Sequence, residues 1–315
     1  MDLKVSRPTR DAYGEEILRL GKENDKIYVI DADVGKSCKT IPFSKELPEQ
    51  YVNVGIAEQN ACGMAAGLAT CGKIPFVTTY AVFGSMRMLE QIRQEVCYPK
   101  LNVKIACSHG GFTPANDGAS HQGIEDMGIL RTIPNMTVVM GCDYTATRKL
   151  VAAAAAYEGP VYLRFTRDVV PGIYDESATF EIGKANQLRE GSDAAIIANG
   201  DVMKLALDAA DQLEAEGIHV RVLDMHTIKP LDVEAVKRAA TETGRIVTVE
   251  DHNVINGLGS AVSEVVAELG CAGVRRIGIQ DHFGESAPYE RLLEKSGITT
   301  AHIVSACKEL IGEAK

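Results

Sequence analysis

A glycine-rich segment in the first half of the chain, SHGGFTPANDGASHQG (108–123), concentrates side chains that could take part in catalysis. It contains His109, Asp117 and His121, and its glycines let the backbone turn sharply and approach a ligand closely. The spacing H-x7-D-x3-H is not typical of a metal site. Two imidazoles and a carboxylate can donate to and accept from sugar hydroxyls and move protons, so the segment favours a polyhydroxylated substrate. A polar surface loop is the alternative.

A single carboxylate, Glu58, opens a helical stretch whose other residues are mostly small or apolar, in VGIAEQNACGMAAGLA (54–69). Burial in such surroundings disfavours the charged form of a carboxylate, so Glu58 could hold or share a proton near neutral pH. The alternative is an ordinary acidic residue at a helix N-terminus, where the helix dipole stabilises it. Spacing alone leaves both interpretations open.

Strands and helices alternate along the whole chain, which is the pattern of parallel sheets covered by helices on both faces. The predicted strands are 26–31, 75–80, 103–109, 137–141, 161–165, 194–199, 220–226, 245–251 and 275–281. The predicted helices are 10–21, 57–70, 84–97, 144–157, 202–216, 232–241, 258–269 and 299–313. We therefore expect an α/β protein of two domains, each a mostly parallel sheet with helices on both faces. The domains are predicted at 1–175 and 190–315, because the residues between them show no sustained helical or strand period of apolar residues.

Two polar segments directly follow predicted strands of the first domain, DADVGKSCKT (31–40) and the segment 108–123. Ligands of open parallel sheets bind beyond the carboxyl ends of the strands, so we expect the active site there. The second domain is chemically quieter. Its NGLGSAV (256–262) lacks the third glycine of a dinucleotide fingerprint and indicates a helix start instead. The roles of His252 and His282 stay open.

The composition limits the possible partners of this 315-residue chain. A formal charge of −10 argues against binding nucleic acid through its phosphates. No window reaches the ~18 apolar residues of a membrane-spanning helix, and the N-terminus lacks the apolar stretch of a signal peptide. The eight cysteines are scattered without a C-x-x-C pair, which favours reduced thiols over disulfides or zinc. We expect a cytoplasmic protein that binds neither nucleic acid nor membrane.

Several segments together resemble the C-terminal half of a transketolase, that is, its pyrimidine-binding domain followed by its C-terminal domain. They are DADVGKS (31–37), VGIAEQN (54–60), TTYAVFGSMR (78–87), HGGFTPANDGASHQG (109–123) and LRFTRD (163–168). The resemblance covers essentially the whole chain. It is specific because the segments occur together in the family's order.

The resemblance implies a site for thiamine diphosphate and a sugar phosphate. Glu58 matches the family's catalytic glutamate, which bonds N1′ of the aminopyrimidine, while His109 and His121 match its catalytic histidines. Met86 stands where the family often has a third aromatic residue, and a thioether can still pack on a ring. The implied cofactor-binding residues are Glu58, Tyr80, Phe83, Met86, Asp33 and Val34. The implied substrate-binding residues are Arg10, Ser37, His109, Asp117, His121 and Arg167, and none is implied to ligate a metal.

The G-D-G motif with a downstream asparagine, which holds Mg²⁺ and the diphosphate in this family, has no counterpart in the sequence; NGDV (199–202) lacks the flanking glycine. The resemblance therefore implies that an N-terminal transketolase subunit supplies the other half of the site and holds the Mg²⁺. The expected assembly is an α2β2 heterotetramer.

The expected reaction is the transfer of a two-carbon ketol unit from a ketose phosphate to an aldose phosphate. A subunit like 1-deoxy-D-xylulose-5-phosphate synthase or the 2-oxoacid dehydrogenase E1 β chain is an alternative, although both usually lack a histidine at the position of His109. A non-catalytic partner of a complete transketolase is a third interpretation. The donor and acceptor sugars stay open, since one or two loop residues can decide between pentose phosphates and modified or sulfonated sugars.

Overall fold

The computed structural model describes residues 5–313, so residues 1–4 and 314–315 of the predicted domain ranges lie outside it. Its strands are β1 (Arg7–Pro8), β2 (Ile27–Asp31), β3 (Tyr51–Asn53), β4 (Ile74–Tyr80), β5 (Lys104–Ser108), β6 (Thr137–Met140), β7 (Val161–Arg164), β8 (Val169–Val170), β9 (Asn186–Arg189), β10 (Ala194–Ala198), β11 (Val220–Asp224), β12 (Thr227–Lys229), β13 (Arg245–Asn253) and β14 (Gly273–Ile279).

Its α-helices are α1 (Thr9–Glu23), α2 (Gly35–Cys38), α3 (Ile41–Glu46), α4 (Glu58–Thr70), α5 (Ala81–Met86), α6 (Leu89–Gln91), α7 (Asp126–Thr132), α8 (Tyr144–Ala156), α9 (Met203–Ala215), α10 (Val233–Thr243), α11 (Leu258–Leu269), α12 (Tyr289–Lys295) and α13 (Thr300–Glu313). Single 3-10 turns occur at Pro48–Gln50, Ala115–Asp117 and Gly200–Val202, and a π-helical segment spans Ile92–Cys97.

The first sheet has seven strands in the order β12-β6-β7-β5-β4-β2-β3. Its strands run parallel except β12, which pairs antiparallel with β6. Strands β5, β6 and β7 are buried along their whole length, as expected for a sheet covered on both faces. The predicted α/β architecture is confirmed for this domain.

The second sheet has five strands in the order β14-β13-β10-β11-β9 and is parallel except for β9. Strands β1 and β8 form a separate antiparallel pair. None of the antiparallel strands β1, β8, β9 and β12 was among the predicted strands, because each is only two to four residues long. Strand β12 follows β11 of the second sheet in the sequence, yet it pairs with β6 of the first sheet, with Thr227 opposite Val139. The two domains are therefore connected by a shared sheet edge as well as by residues 171–185, which have no regular helix or strand. The boundaries at 175 and 190 stay a prediction.

Alternate residues of the first sheet pack into two different clusters. Val29 and Phe76 contact the cluster that holds Tyr13 of α1 and Leu150 of α8. Ile30, Val77 and Ile105 belong to a second cluster, with residues of α4, and this cluster continues into α10 and α11. Helices therefore pack on both faces of the sheet, and the apolar core is continuous between the domains.

The predicted helix 84–97 is wrong as one continuous element. Helix α5 ends at Met86, and Met88 lies outside the helical region at φ −110°, ψ 19°. The chain then continues through the short α6 into the π-helical segment. The interruption lies at Arg87 and Met88, between α5 and α6.

Candidate active site

The carboxyl ends of five neighbouring strands, β3, β2, β4, β5 and β7, form the edge of the first sheet that carries the predicted site residues. Glu58 follows β3, Ser37 follows β2, Tyr80 ends β4, His109 follows β5 and Arg167 follows β7. Because parallel strands all end at the same edge, residues far apart in sequence meet there. The N-terminus of α1 reaches this edge too, where the amide of Arg10 donates to the carbonyl of Thr166.

Four rings form one cluster at this edge. Tyr80 stacks on His109 with ring centroids 4.0 Å apart, and it lies 5.9 Å from Phe83. His121 meets Phe83 edge-on at 5.5 Å and Tyr80 at 6.1 Å. The structure thus brings together two predicted substrate-binding histidines and two predicted cofactor-binding aromatic residues.

The imidazole of His109 is 2% exposed and is held in an unusual backbone conformation, with φ +65°. Its Nδ1 lies within hydrogen-bond distance of the Ser108 hydroxyl. Burial, with the nearby cations of Arg10 and Arg167, lowers the pKa of the imidazole to about 3. His109 is therefore neutral at physiological pH. With Nδ1 beside the Ser108 hydroxyl, Nε2 is the ring nitrogen left for a substrate hydroxyl, and the tautomer decides whether it donates or accepts.

Glu58 is the first residue of α4 and is 6% exposed, but it is not the isolated carboxylate that the sequence suggested. Arg87 donates a hydrogen bond from Nη1 to Glu58 Oε1 at 2.9 Å. The guanidinium of Arg87 also lies over the ring of Phe83, 3.9 Å from its centroid. Arg87 therefore connects Glu58 to the ring cluster. Arg87 was not among the predicted site residues, although it is the last residue of the segment TTYAVFGSMR.

An open cleft of ≈ 490 Å³ lies in front of this ion pair, lined by Ile56, Ala57, Glu58, Gln59, Asn60 and Arg87. Met86, beside Arg87, is 41% exposed, and Ile56 is 77% exposed. Apolar surface and a nearly buried carboxylate thus border the same space. That combination suits a flat heteroaromatic ring with a nitrogen able to bond a carboxyl group.

The cationic residues predicted to contact substrate are held by short polar contacts. Arg167 Nη1 donates to Asp117 Oδ2 and to the Pro114 carbonyl, both at 2.8 Å. Arg10 Nη1 donates to the Ser37 carbonyl at 3.1 Å. The ion pair joins two predicted substrate-binding residues, Asp117 and Arg167, and both side chains remain about one-third exposed.

Asp33 and Val34 lie at the turn between β2 and α2. Asp33 is exposed, has φ +64° and accepts a hydrogen bond from Asn53. The amide of Val34 donates to the buried Asp31. These hydrogen bonds join the turn to β2 and β3, and β2 lies beside the strand that ends at Tyr80. The predicted role of Asp33 and Val34 in cofactor binding stays a prediction.

All eight cysteines are free thiols, and six of them are buried. Within residues 5–313, no group of three His, Cys, Asp or Glu side chains could hold a metal ion. In the same part of the chain, no helix has the length and apolar character needed to cross a membrane.

His252 and His282, whose roles the sequence left open, are at the domain contact. The ring of His252 is fully buried, and its Nε2 accepts a hydrogen bond from the amide of Gly128 in the first domain. His282 is exposed. The buried histidine therefore joins the two domains.

Comparison with known proteins places both halves of the chain in one family. The model of the transketolase pyrimidine binding domain matches residues 6–172, and that of the transketolase C-terminal domain matches residues 183–303. The chain is 46% identical over 308 residues to a putative transketolase C-terminal section of Methanocaldococcus jannaschii, covering 97% of this chain and 96% of that protein. It is 41% identical over 301 residues to a 6-deoxy-6-sulfo-D-fructose transketolase subunit of a Clostridium species, covering 96% and 94%.

A solved structure of a split-gene transketolase, an inactive β4 tetramer, superposes on the chain with a TM-score of 0.91. The two sequences are 49% identical, and the match covers 97% of this chain and 99% of that one. The similarity extends over both domains and over nearly the full length of these relatives.

Proposed function

The chain belongs to the transketolase family, and from that premise we propose that it is the C-terminal subunit of a two-chain transketolase that transfers a ketol unit between sugar phosphates. The observation that carries the proposal is the joint arrangement at one sheet edge of Glu58 with the rings of Tyr80, Phe83, His109 and His121. A non-catalytic scaffold would not need a nearly buried carboxylate and a buried neutral imidazole at the same sheet edge.

The cleft beside Glu58 fits the aminopyrimidine of thiamine diphosphate. Glu58 offers a carboxylate for a ring nitrogen, and Phe83 and Met86 offer partly exposed apolar surface for the ring face. When bound, this cofactor supplies the carbon nucleophile and the electron sink that carbon–carbon cleavage beside a carbonyl requires. Because the sequence lacks the diphosphate motif, we propose that the partner subunit holds the Mg²⁺ and the diphosphate.

Each residue of this chain then has a defined task. Glu58 holds or shares a proton at a ring nitrogen of the cofactor. Neutral His109 bonds a hydroxyl group of the sugar. The partly exposed His121 bonds a hydroxyl group as well and can move a proton to or from it. The ring cluster also keeps water from the buried face of His109, since that imidazole is 2% exposed.

Two arginines are placed to hold the anionic end of the sugar. Arg10 and Arg167 are both close enough to His109 to lower the pKa of its imidazole. The planar fork of a guanidinium suits a phosphate or a sulfonate, so we propose that these residues, with Ser37, bind the anionic tail. Asp117 pairs with Arg167 and is placed to contact a hydroxyl near that tail.

The relatives support a two-chain enzyme, because the M. jannaschii protein is a transketolase C-terminal section and the split-gene structure is an inactive tetramer of β chains. We propose that activity requires an N-terminal subunit and that the active assembly is α2β2. The choice between pentose phosphates and a modified sugar is open, since the Clostridium relative is a subunit acting on 6-deoxy-6-sulfo-D-fructose.

The test is a ketol-transfer assay with xylulose 5-phosphate and ribose 5-phosphate, thiamine diphosphate and Mg²⁺, with and without an N-terminal transketolase subunit from the same organism. We expect turnover only in the mixture. Glu58→Gln keeps an acceptor for Arg87 and the side-chain volume, so the mixture should assemble yet lose at least ~100-fold in turnover.

The matched control is Glu23→Gln. Glu23 also pairs with an arginine, Arg19, but it lies at the far end of α1 and is exposed. Its variant should keep full activity. Near-normal turnover by Glu58→Gln would contradict the proposal, and turnover of pyruvate with glyceraldehyde 3-phosphate, without ketose turnover, would favour the synthase-like alternative.

A further inference from the structure

Asp251, near the end of β13 in the second domain, binds the loop that carries His109, Asp117 and His121. The amide of Phe112 donates to both carboxyl oxygens of Asp251, at 3.2 Å and 2.9 Å. Both groups are buried, and 139 residues separate them in the chain. The preceding Gly111, at φ +60°, lies so close that an added Cβ would be 2.0 Å from Asp251 Oδ2. The turn after His109 is thus built against this one carboxyl group.

Arg164 connects both ends of the loop to the same strand. Its Nη2 donates to the carbonyls of Gly123 and Asp251, each at 2.9 Å. Gly111 donates to Gly123, which closes the loop on itself. Arg164 is 1% exposed and pairs with the buried Asp126, so its side chain links the loop to β13 inside the protein and not at the surface.

A second piece of the second domain holds the outer side of the loop. Ser286 Oγ donates to the Asn116 carbonyl at 2.6 Å, and Gln122 Nε2 donates to the Glu285 carbonyl at 3.0 Å. Gly284 packs so closely on Gln122 that an added Cβ would be 2.0 Å from its Oε1. The segment 284–286 therefore lies along the loop beside Asp117 and His121.

We propose that the second domain positions the substrate loop of the first domain, residues 108–123. Asp251 holds this loop at the Phe112 amide, and Ser286 holds it at the Asn116 carbonyl. This inference rests on the proposed function for the role of the loop in binding substrate, whereas the contacts that hold the loop do not depend on it. His109 is two residues from Gly111 and has a left-handed backbone, so its imidazole depends on the turn that Asp251 holds. The second domain, which has no predicted catalytic residue, thereby acts on the reaction through geometry.

The surroundings of Asp251 decide which variant is conservative. Asp251 lies against the carboxyl group of Asp201, which accepts a hydrogen bond from the hydroxyl of Tyr289. Burial and this second carboxyl group raise the pKa of Asp251, which favours its neutral form. Asp251→Asn is neutral as well and keeps an oxygen for the Phe112 amide, whereas Asp251→Ala removes the acceptor.

The first experiment is amide hydrogen exchange on the isolated chain, which needs no partner and no activity. Asp251→Ala should reduce protection in 110–123 by roughly 10-fold or more, as expected when a buried amide loses its acceptor. Asp251→Asn should restore most of it. Asp224→Asn, another fully buried aspartate at a strand end, is the matched control and should leave 110–123 unchanged.

Ser286→Ala tests the proposal even if Asp251→Ala does not fold, because Ser286 is exposed and its loss removes one side-chain hydrogen bond. It should raise exchange near Asn116, whereas Ser305→Ala, an exposed serine on α13, should not. Unchanged exchange of 110–123 in both Asp251→Ala and Ser286→Ala would overturn the proposal. If only Asp251→Ala is unfolded, unchanged exchange in Ser286→Ala overturns it.

The second experiment uses the two-chain complex. Asp251→Ala and Ser286→Ala should raise KM for the sugar or lower kcat, by up to roughly 100-fold for a displacement of about 1 Å, with thiamine diphosphate affinity unchanged, whereas Asp251→Asn should stay close to the wild type. An equal loss of cofactor affinity would overturn a role specific to the substrate loop. A wild-type complex without ketol transfer would reject the proposed function, while the exchange result would still decide whether the second domain positions the loop.

Discussion

Replacing His109 with asparagine tests whether a neutral, buried imidazole lies at the centre of the site. Asparagine tolerates the left-handed backbone at φ +65° better than most residues, and its side-chain oxygen or nitrogen can replace Nδ1 beside the Ser108 hydroxyl. Unlike histidine, it cannot bind a proton. The variant therefore removes one titration while it preserves the local geometry.

The magnitude follows from the shift in the pKa of His109, from 6.5 to about 3 in the folded chain. Because the pKa of His109 is lower in the folded chain, His109 is protonated in the unfolded chain and neutral in the folded chain between about pH 3 and pH 6.5. The stabilisation by neutral His109 is complete above pH 6.5 and is lost as the pH falls towards 3. Between pH 7 and pH 5 this linkage amounts to about 2 kcal/mol of unfolding free energy.

The assay is urea unfolding of the isolated chain at pH 7, 6 and 5, at one protein concentration. We expect the wild type to lose about 2 kcal/mol more than His109→Asn on going from pH 7 to 5. Other buried histidines, such as His226, titrate equally in both proteins and cancel. His302→Asn, at an exposed position, should follow the wild type. Parallel pH profiles for wild type and His109→Asn would refute the neutral-imidazole assignment.

Two further predictions concern stability. Gly67 is at an open helical position where nothing lies within 4 Å of an added Cβ, so Gly67→Ala should raise the unfolding free energy by ~0.5–1 kcal/mol. In Gly84→Ala the added Cβ would be 2.3 Å from Cys107 Sγ, so this variant should lower the unfolding free energy. Urea titration of both variants will measure the two effects. Arg87→Leu should lower the unfolding free energy by about 1–3 kcal/mol, because it leaves the nearly buried Glu58 carboxylate without its hydrogen-bond donor, and an unchanged value in the same titration would contradict this prediction.

The central strands of both sheets could be predicted because their hydrophobic runs are strong and local. The runs 161–165 and 194–199 correspond to β7 and β10, each buried along its length. The short strands β9 and β12 carry no such run, and their pairing depends on where a neighbouring strand edge is open. The interruption of 84–97 at Met88 also has no signal in the spacing of apolar residues.

For the site, the sequence supplied the residue types and the elements that carry them. Glycines and polar residues directly after strand-like runs indicated one sheet edge, and that inference needs only the direction shared by parallel strands. The individual roles carried over from the resemblance stay predictions. They concern ligands, and contacts between protein atoms do not test them.

The sequence by itself determined the α/β class, the family and the edge at which Glu58, Tyr80 and His109 lie, because hydrophobic period, strand direction and motif order are local properties. Only the tertiary structure decided that Arg87 pairs with Glu58 and that Asp251 holds the turn after His109. Such contacts join residues 29 and 139 positions apart. They depend on how whole helices and domains pack, which is set by the sum of many small contacts and by no short segment of the chain.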